Sequence, residues 1–384
     1  MERSDVPTTT ASRVLFALIA GVLIAVAYTV FFSDDRTSML FIGDLPGFYG
    51  LGRIVLEGHG DHLYDFEYQR EAQNRFWPIL NQTFFPTMYP PIVGLIVALV
   101  AWIPPLPLRV LLIFVEVSVL LLALRALARD RRVERFTLIL FSIPILISLA
   151  GVQNTAISIG LISLARRLLA RNQFLIAGLV AGALFYKPQV GLVICVVMAV
   201  GAGIVFSSGV LFSLMLQYVA GLFVYKGEWL LPWIEKIKSF SSLRASLDGP
   251  KMTSFFGHLP VDGVLGISQQ SWELLGFGGV LIGILVYSLQ SRTVSGGSER
   301  ALGFLLGSFP VFVPQTMFYD LGISIFWVFA NTSLATRAEI VRSVAVVLTV
   351  NICVMCSSAD LSLMPIGALS VALLASRVFL CRGS

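Results

Sequence analysis

Apolar runs of roughly membrane-spanning length recur along almost the whole of this 384-residue chain, and no other feature constrains its fold as strongly. A helix needs about 20 apolar residues to cross the hydrocarbon of a bilayer. Runs that reach or approach this length cover 14–32, 108–128, 136–150, 155–169, 174–186, 190–206, 208–225, 272–290, 301–313, 320–335, 341–357 and 361–380. Hydrophobic residues make up 57% of the chain and charged residues 13%, against about 45–50% and about 25% in soluble domains. No stretch is left for a second, water-soluble domain of ordinary size. Residues 1–384 therefore read as one polytopic, all-α integral membrane domain of about twelve transmembrane helices.

The positive charges orient it. Arg129, Arg131, Arg132 and Arg135 share one connection; Arg166, Arg167 and Arg171 share a second; Arg292 and Arg300, then Arg337 and Arg342, mark two more. Basic connections stay cytoplasmic. All four do so if the N-terminus is cytoplasmic and Tyr89–Ile103 is re-entrant or interfacial rather than a span. The expectation is thus a multi-pass plasma (inner) membrane protein with both termini inside. Residues 33–107 then form an acidic outer loop, in which GFYGLGRIVLEG and FEYQREAQNRFWPIL suit juxtamembrane helices. Residues 226–271 form a second outer loop, with Trp229, Trp233, Lys236, Lys238, Arg244, Lys251 and His258 suited to the headgroup region. The net charge of +5 is spread over these connections and does not point to nucleic acid. The first run follows Arg3 and Arg13 and leads into FFSDD without a cleavage pattern, which reads as a retained helix. Cys353-x-x-Cys356 lies inside an apolar run without a second ligand pair, so helix packing is expected of it.

Threaded this way, polar residues gather at the outer ends of the helices: Asp44 and Tyr49; Tyr64 and Asp65; Tyr89 in MYPP; Gln153 and Asn154; Lys187 and Gln189 in YKPQ; His258; and Tyr319 and Asp320. Polar groups beside hydrocarbon cost free energy unless partnered, so the gathering indicates an aqueous cavity. The order D-x4-Y, G-x4-LYD, MYPP, GVQN, YKPQ and FYDL, over residues 43–322, resembles glycosyltransferase family 87. The glutamine of GVQN stands one place from its position in the family's usual G-Q-x-N.

That resemblance implies a GT-C fold and an inverting transfer of a sugar, mannose foremost, from a polyprenyl-phosphate donor to a glycolipid or polysaccharide acceptor on the outer (periplasmic) face. Such a transfer needs a base, a cation for the departing phosphate and a lipid groove, with neither metal nor cofactor. The resemblance assigns the base to Asp44. Lys187, His258, Arg244 and Lys251 are then candidates for the donor phosphate. Tyr49, Tyr64, Asp65, Tyr89, Gln153, Asn154, Gln189, Tyr319 and Asp320 are candidates for sugar or acceptor.

Each residue also has a plainer reading. Asp44-Leu45-Pro46 is a good helix start, with Asp at the N-cap and Pro just inside. Lys187 suits a snorkelling side chain, and Asp65 suits a cap. Glu116, mid-way along 108–128, is an ionisable group at depth, which also fits a polytopic transporter or flippase.

Overall fold

The computed structural model describes residues 43–80, 84–127, 132–238, 252–254, 271, 274–283, 297–313, 316–332, 334–357 and 363–379. Apart from one isolated bridge, Met252 to Met317, the regular structure among them is helical. The first apolar run and three of the expected phosphate ligands, Arg244, Lys251 and His258, lie outside the described residues.

The first loop carries α1 (Leu45–Leu56) and α2 (Phe66–Phe76). It is followed by α3 (Pro91–Ala98) and α4 (Pro105–Leu127). At about 1.5 Å per residue, the eight residues of α3 are too short to cross the bilayer. Next come α5 (Arg132–Leu140), α6 (Ile143–Ala150), α7 (Thr155–Leu169) and α8 (Phe174–Gly182), the last extended by a 3-10 turn, Ala183–Tyr186. Then come α9 (Pro188–Ala202), α10 (Ile204–Tyr225), α11 (Gly297–Phe312), α12 (Leu321–Asn331), α13 (Arg337–Ser357) and α14 (Met364–Phe379), with a further short apolar helix, Leu274–Gly283, between α10 and α11.

Among the described residues three helices, α4, α10 and α13, are long and apolar enough to cross a membrane singly. The segment expected as one span over 136–150 is broken. Its two halves, α5 and α6, meet at 75°, because Pro144 brings no N–H to the first turn of α6 and Ser142 is extended. Asn351 of α13 repairs the break from the side: its Oδ1 accepts from the Ile143 N–H at 2.8 Å and its Nδ2 donates to the Phe141 carbonyl at 2.9 Å. Irregular backbone at membrane depth persists where protein supplies such partners.

Of the shorter apolar helices, α12 sits wholly inside. In α12 every residue from Leu321 to Ala330 is buried, as expected of a helix that is apolar all round. Helices α8 and α10 meet through glycine: a Cβ on Gly209 would fall 2.1 Å from the Leu175 carbonyl oxygen. The bundle is also polarised end to end. Buried Arg135 donates to the Ala330 carbonyl, and the Arg166 guanidinium lies 5.4 Å from the Trp327 ring centre. These arginines sit at the end where α7 and α12 finish. Asn154 and Asp320 stand where the same two helices begin.

Candidate active site

One wall of the site is an extended segment, residues 84–90, held up by two amides. Gln69 and Gln73, four apart on one face of α2, are both fully buried. Gln69 accepts from the Thr87 N–H at 2.9 Å and donates to its carbonyl at 3.0 Å; Gln73 accepts from Phe85 N–H at 2.7 Å and donates to its carbonyl at 2.9 Å. A glutamine side chain pairs with a peptide in this way as a neighbouring strand would. Trp233 Nε1 then donates to the Met88 carbonyl at 3.0 Å and the Tyr64 hydroxyl to that of Tyr89 at 3.3 Å.

The other wall is made where helices begin. Asp44, Asn154, Lys187 and Asp320 occupy the N-cap positions of α1, α7, α9 and α12, and none of the four side chains caps its own helix. Lys187 precedes Pro188, which excludes the helical conformation for it and places it on the kink between the 3-10 turn and α9. Its ammonium, buried with the Asp320 carboxylate, bonds to Asp320 Oδ1 and donates to Asn154 Oδ1 at 3.0 Å. Asp320 Oδ2 accepts from the Met317 N–H at 3.1 Å. Asn154 Nδ2 donates onward to the Tyr89 hydroxyl at 2.7 Å, and the Asn154 carbonyl accepts from Tyr186 at 3.0 Å. The Asp44 turn is pressed against the GVQN turn. Gly43 has φ +56°, and a Cβ there would lie 2.2 Å from Gly151 Cα, so only glycine fits.

Between the walls lies a cleft of about 180 Å³, lined by Asp44, Tyr89, Tyr186, Lys187, Gln189 and Asp320 among others. Tyr319 is also in its lining, with the Lys187 ammonium 5.0 Å from its ring centre. Burial drives the Tyr89 phenol well above its usual pKa, and the nearby Asp44 and Asp320 carboxylates push the same way. Tyr89 therefore stays protonated and able to donate.

The model of glycosyltransferase family 87 matches residues 87–314, more than half of the chain. The chain belongs to glycosyltransferase family 87. No curated protein and no solved structure matches it. The matched range holds Tyr89, Asn154, Lys187 and Gln189, while Asp44, Tyr319 and Asp320 lie beyond it and are joined to it by the cleft.

Not every expected residue of this family 87 protein reaches the cleft. Asp44 does, but its carboxylate makes no cap hydrogen bond, so the helix-starting role expected of it is absent. The helix begins at Leu45, with Pro46 in its first turn, without a side-chain cap from it. Tyr49 is buried away from the cleft, its hydroxyl donating to the Ile103 carbonyl at 3.2 Å and its ring edge-on to Phe76 and Trp77. Tyr64 acts on the cleft only through the Tyr89 backbone. Asp65 caps α2, accepting from the Glu67 N–H at 3.0 Å, and with Tyr64 borders a separate, open pocket. Gln153 is buried beside Gly151 and is not in the cleft lining; its Oε1 has no hydrogen-bond partner among the described residues. Glu116 is likewise buried in α4 with Oε2 unpartnered. Gln69, Gln73 and Tyr186 were not among the expected site residues, and Trp233, expected in the headgroup region, is instead buried against the Met88 carbonyl. The two glutamines at helical spacing in an otherwise polar segment were the available signal.

Proposed function

We propose that the cleft carries out inverting transfer of a sugar, mannose foremost, from a polyprenyl-phosphate donor to a glycolipid or polysaccharide hydroxyl on the outer face of the membrane. The observation that carries this reading is the meeting of Asp44 with the Lys187–Asp320 pair in one cleft. Asp44 takes the proton of the acceptor hydroxyl as its oxygen attacks the anomeric carbon. The carbon–oxygen bond to the phosphate breaks, and its electron pair leaves on the phosphate oxygen. Attack opposite the leaving group turns a β-linked donor into an α-linked product.

Lys187 suits the phosphate. Two of its three N–H bonds are taken by Asp320 and Asn154, which leaves one for the cleft. The N-termini of α1, α9 and α12 border the same cleft, and their partial positive charge favours an anion. The outer-face assignment is supported by the arginines at the opposite end of α7 and α12, since basic connections are retained in the cytoplasm. A GT-C bundle of about twelve spans remains part of this proposal, with the described helices as its partial inventory.

The test is transfer of labelled mannose from polyprenyl-phosphate mannose into a lipid extract, by wild type and Asp44→Asn. Because Asp44 does not cap, asparagine leaves the start of α1 intact. Wild-type transfer with a loss of several orders of magnitude in the variant is expected. Equal transfer would move the base to Asp320, Asp65 or Glu116. No transfer by either protein, with donor passing across vesicles instead, would favour a flippase, the reading supported by Glu116 in α4, whose buried Oε2 has no hydrogen-bond partner among the described residues.

A further inference from the structure

The direction of hydrogen bonding along Lys187, Asn154 and Tyr89 is dictated chemically. An ammonium has only protons to offer, so the Asn154 atom facing Lys187 must be its oxygen. The Asn154 amide nitrogen must then face Tyr89, where it donates at 2.7 Å to the phenolic oxygen. The Tyr89 proton is thereby turned away from Asn154. No hydrogen bond carries it to another group among the described residues, and Tyr89 lines the cleft. Its backbone is fixed by Tyr64 and its ring lies 5.0 Å from that of Phe48, centre to centre, so the hydroxyl cannot swing to another task.

We infer that Tyr89 and Lys187 form a two-donor bracket for one phosphate group of the donor, with Asn154 as the positioning residue that aims the phenolic proton. The inference rests on the transferase reading above. The remaining Lys187 proton and the Tyr89 proton are joined through a single carboxamide by contacts of 3.0 and 2.7 Å, which keeps both within the span of two oxygens on one phosphorus. A phosphate monoester or diester anion accepts from both. A sugar hydroxyl in the same place would leave the bracket half used. Asp320 completes the device by holding the ammonium in place, taking one of its protons while Asn154 takes another. Asp44 enters the same cleft from α1, so the base and the bracket address one substrate. Tyr89 thus reads the departing phosphate and not the sugar.

The experiment uses undecaprenyl phosphate, which carries the phosphate and no sugar, as an inhibitor of transfer and as a directly bound radiolabelled ligand in detergent. Tyr89→Phe keeps the ring contact with Phe48. It is expected to weaken undecaprenyl phosphate about ten-fold, with monodispersity unchanged. Asn154→Leu is expected to do the same, and Tyr89→Phe in that background to cost no more than about two-fold further. A purely structural Asn154 would leave the ten-fold Tyr89 effect undiminished, which overturns the positioning role. If Tyr89→Phe impairs the mannosylated donor but binds undecaprenyl phosphate like wild type, Tyr89 reads sugar and the bracket is wrong. If Asn154→Leu does not fold, Tyr89→Phe alone decides between these outcomes. Should wild type neither bind undecaprenyl phosphate nor transfer, the transferase reading falls and the bracket with it. Wild-type transfer with unaffected variants removes the bracket alone.

Discussion

Lys187 and Asp320 are 133 residues apart in sequence and form a buried ion pair at the mouth of two helices. Taking charges out of water is costly, and the pair stands because Asn154 and the Met317 N–H absorb part of what each group has left to offer. Removing one partner strands the other. Lys187→Met or Asp320→Leu should each cost about 3–5 kcal/mol in a reversible unfolding measurement in detergent. The double variant should recover much of that loss while remaining inactive. Single variants as stable as wild type would mean the pair is open to water.

Gly43 and Gly151 make the contact that sets Asp44 beside the GVQN turn. Gly43→Ala should destabilise the protein and lower transfer by about a hundred-fold, since a displacement of about 1 Å at a reacting group has that effect. Gly58 also has positive φ, but nothing lies within 4 Å of the place its Cβ would take. Gly58→Ala should therefore show only the left-handed strain of about 1–2 kcal/mol, with normal kcat. Equal damage from both would trace the effect to backbone strain and not to the Gly151 contact.

Two residues with the look of site residues should prove structural. Tyr49→Phe loses one bond to the Ile103 carbonyl and should cost about 1 kcal/mol. Asp65→Ala loses the α2 cap at a similar cost of about 1 kcal/mol. Neither should change KM for the donor. A ten-fold rise in KM for either variant would return that residue to the substrate.

Glu57 provides a pH signature outside the cleft. Burial would raise its pKa, but bonds from Arg53 at 2.6 Å and Arg75 at 3.0 Å outweigh this and hold it below the usual glutamate value. A carboxylate depressed in the folded state stabilises above its unfolded pKa, and the gain disappears as pH falls through the folded value. The unfolding temperature of wild type minus that of Glu57→Gln should thus be positive at pH 7 and shrink toward zero below about pH 4. For so exposed a cluster the difference should correspond to less than about 1 kcal/mol. A difference independent of pH would remove the charge from the explanation.

The membrane class and the polar segments were legible along the chain, because length of apolar run and arginine bias are local properties. So were Asp44, Tyr89, Asn154, Lys187 and Asp320 as a group, through the order of short motifs. Asp65 and Tyr49 were indistinguishable from them on the same grounds. An aspartate before a helix looks alike whether it caps or turns away. Asp65 accepts from its own helix and Asp44 does not. That choice depends on what stands opposite each carboxylate across space.

The bend between α5 and α6 was hidden for a related reason. Pro144 announces a weak point, but whether the helix kinks or breaks depends on Asn351, more than 200 residues later, satisfying both freed backbone groups. The amides of Gln69 and Gln73 were equally mute until segment 84–90 came alongside. What this sequence determined by itself was a helical membrane chain with polar turns at the starts of its helices. The tertiary structure alone decided which of those polar groups meet. A hydrogen bond has a direction and a reach of about 3 Å, and neither can be read from positions along a chain.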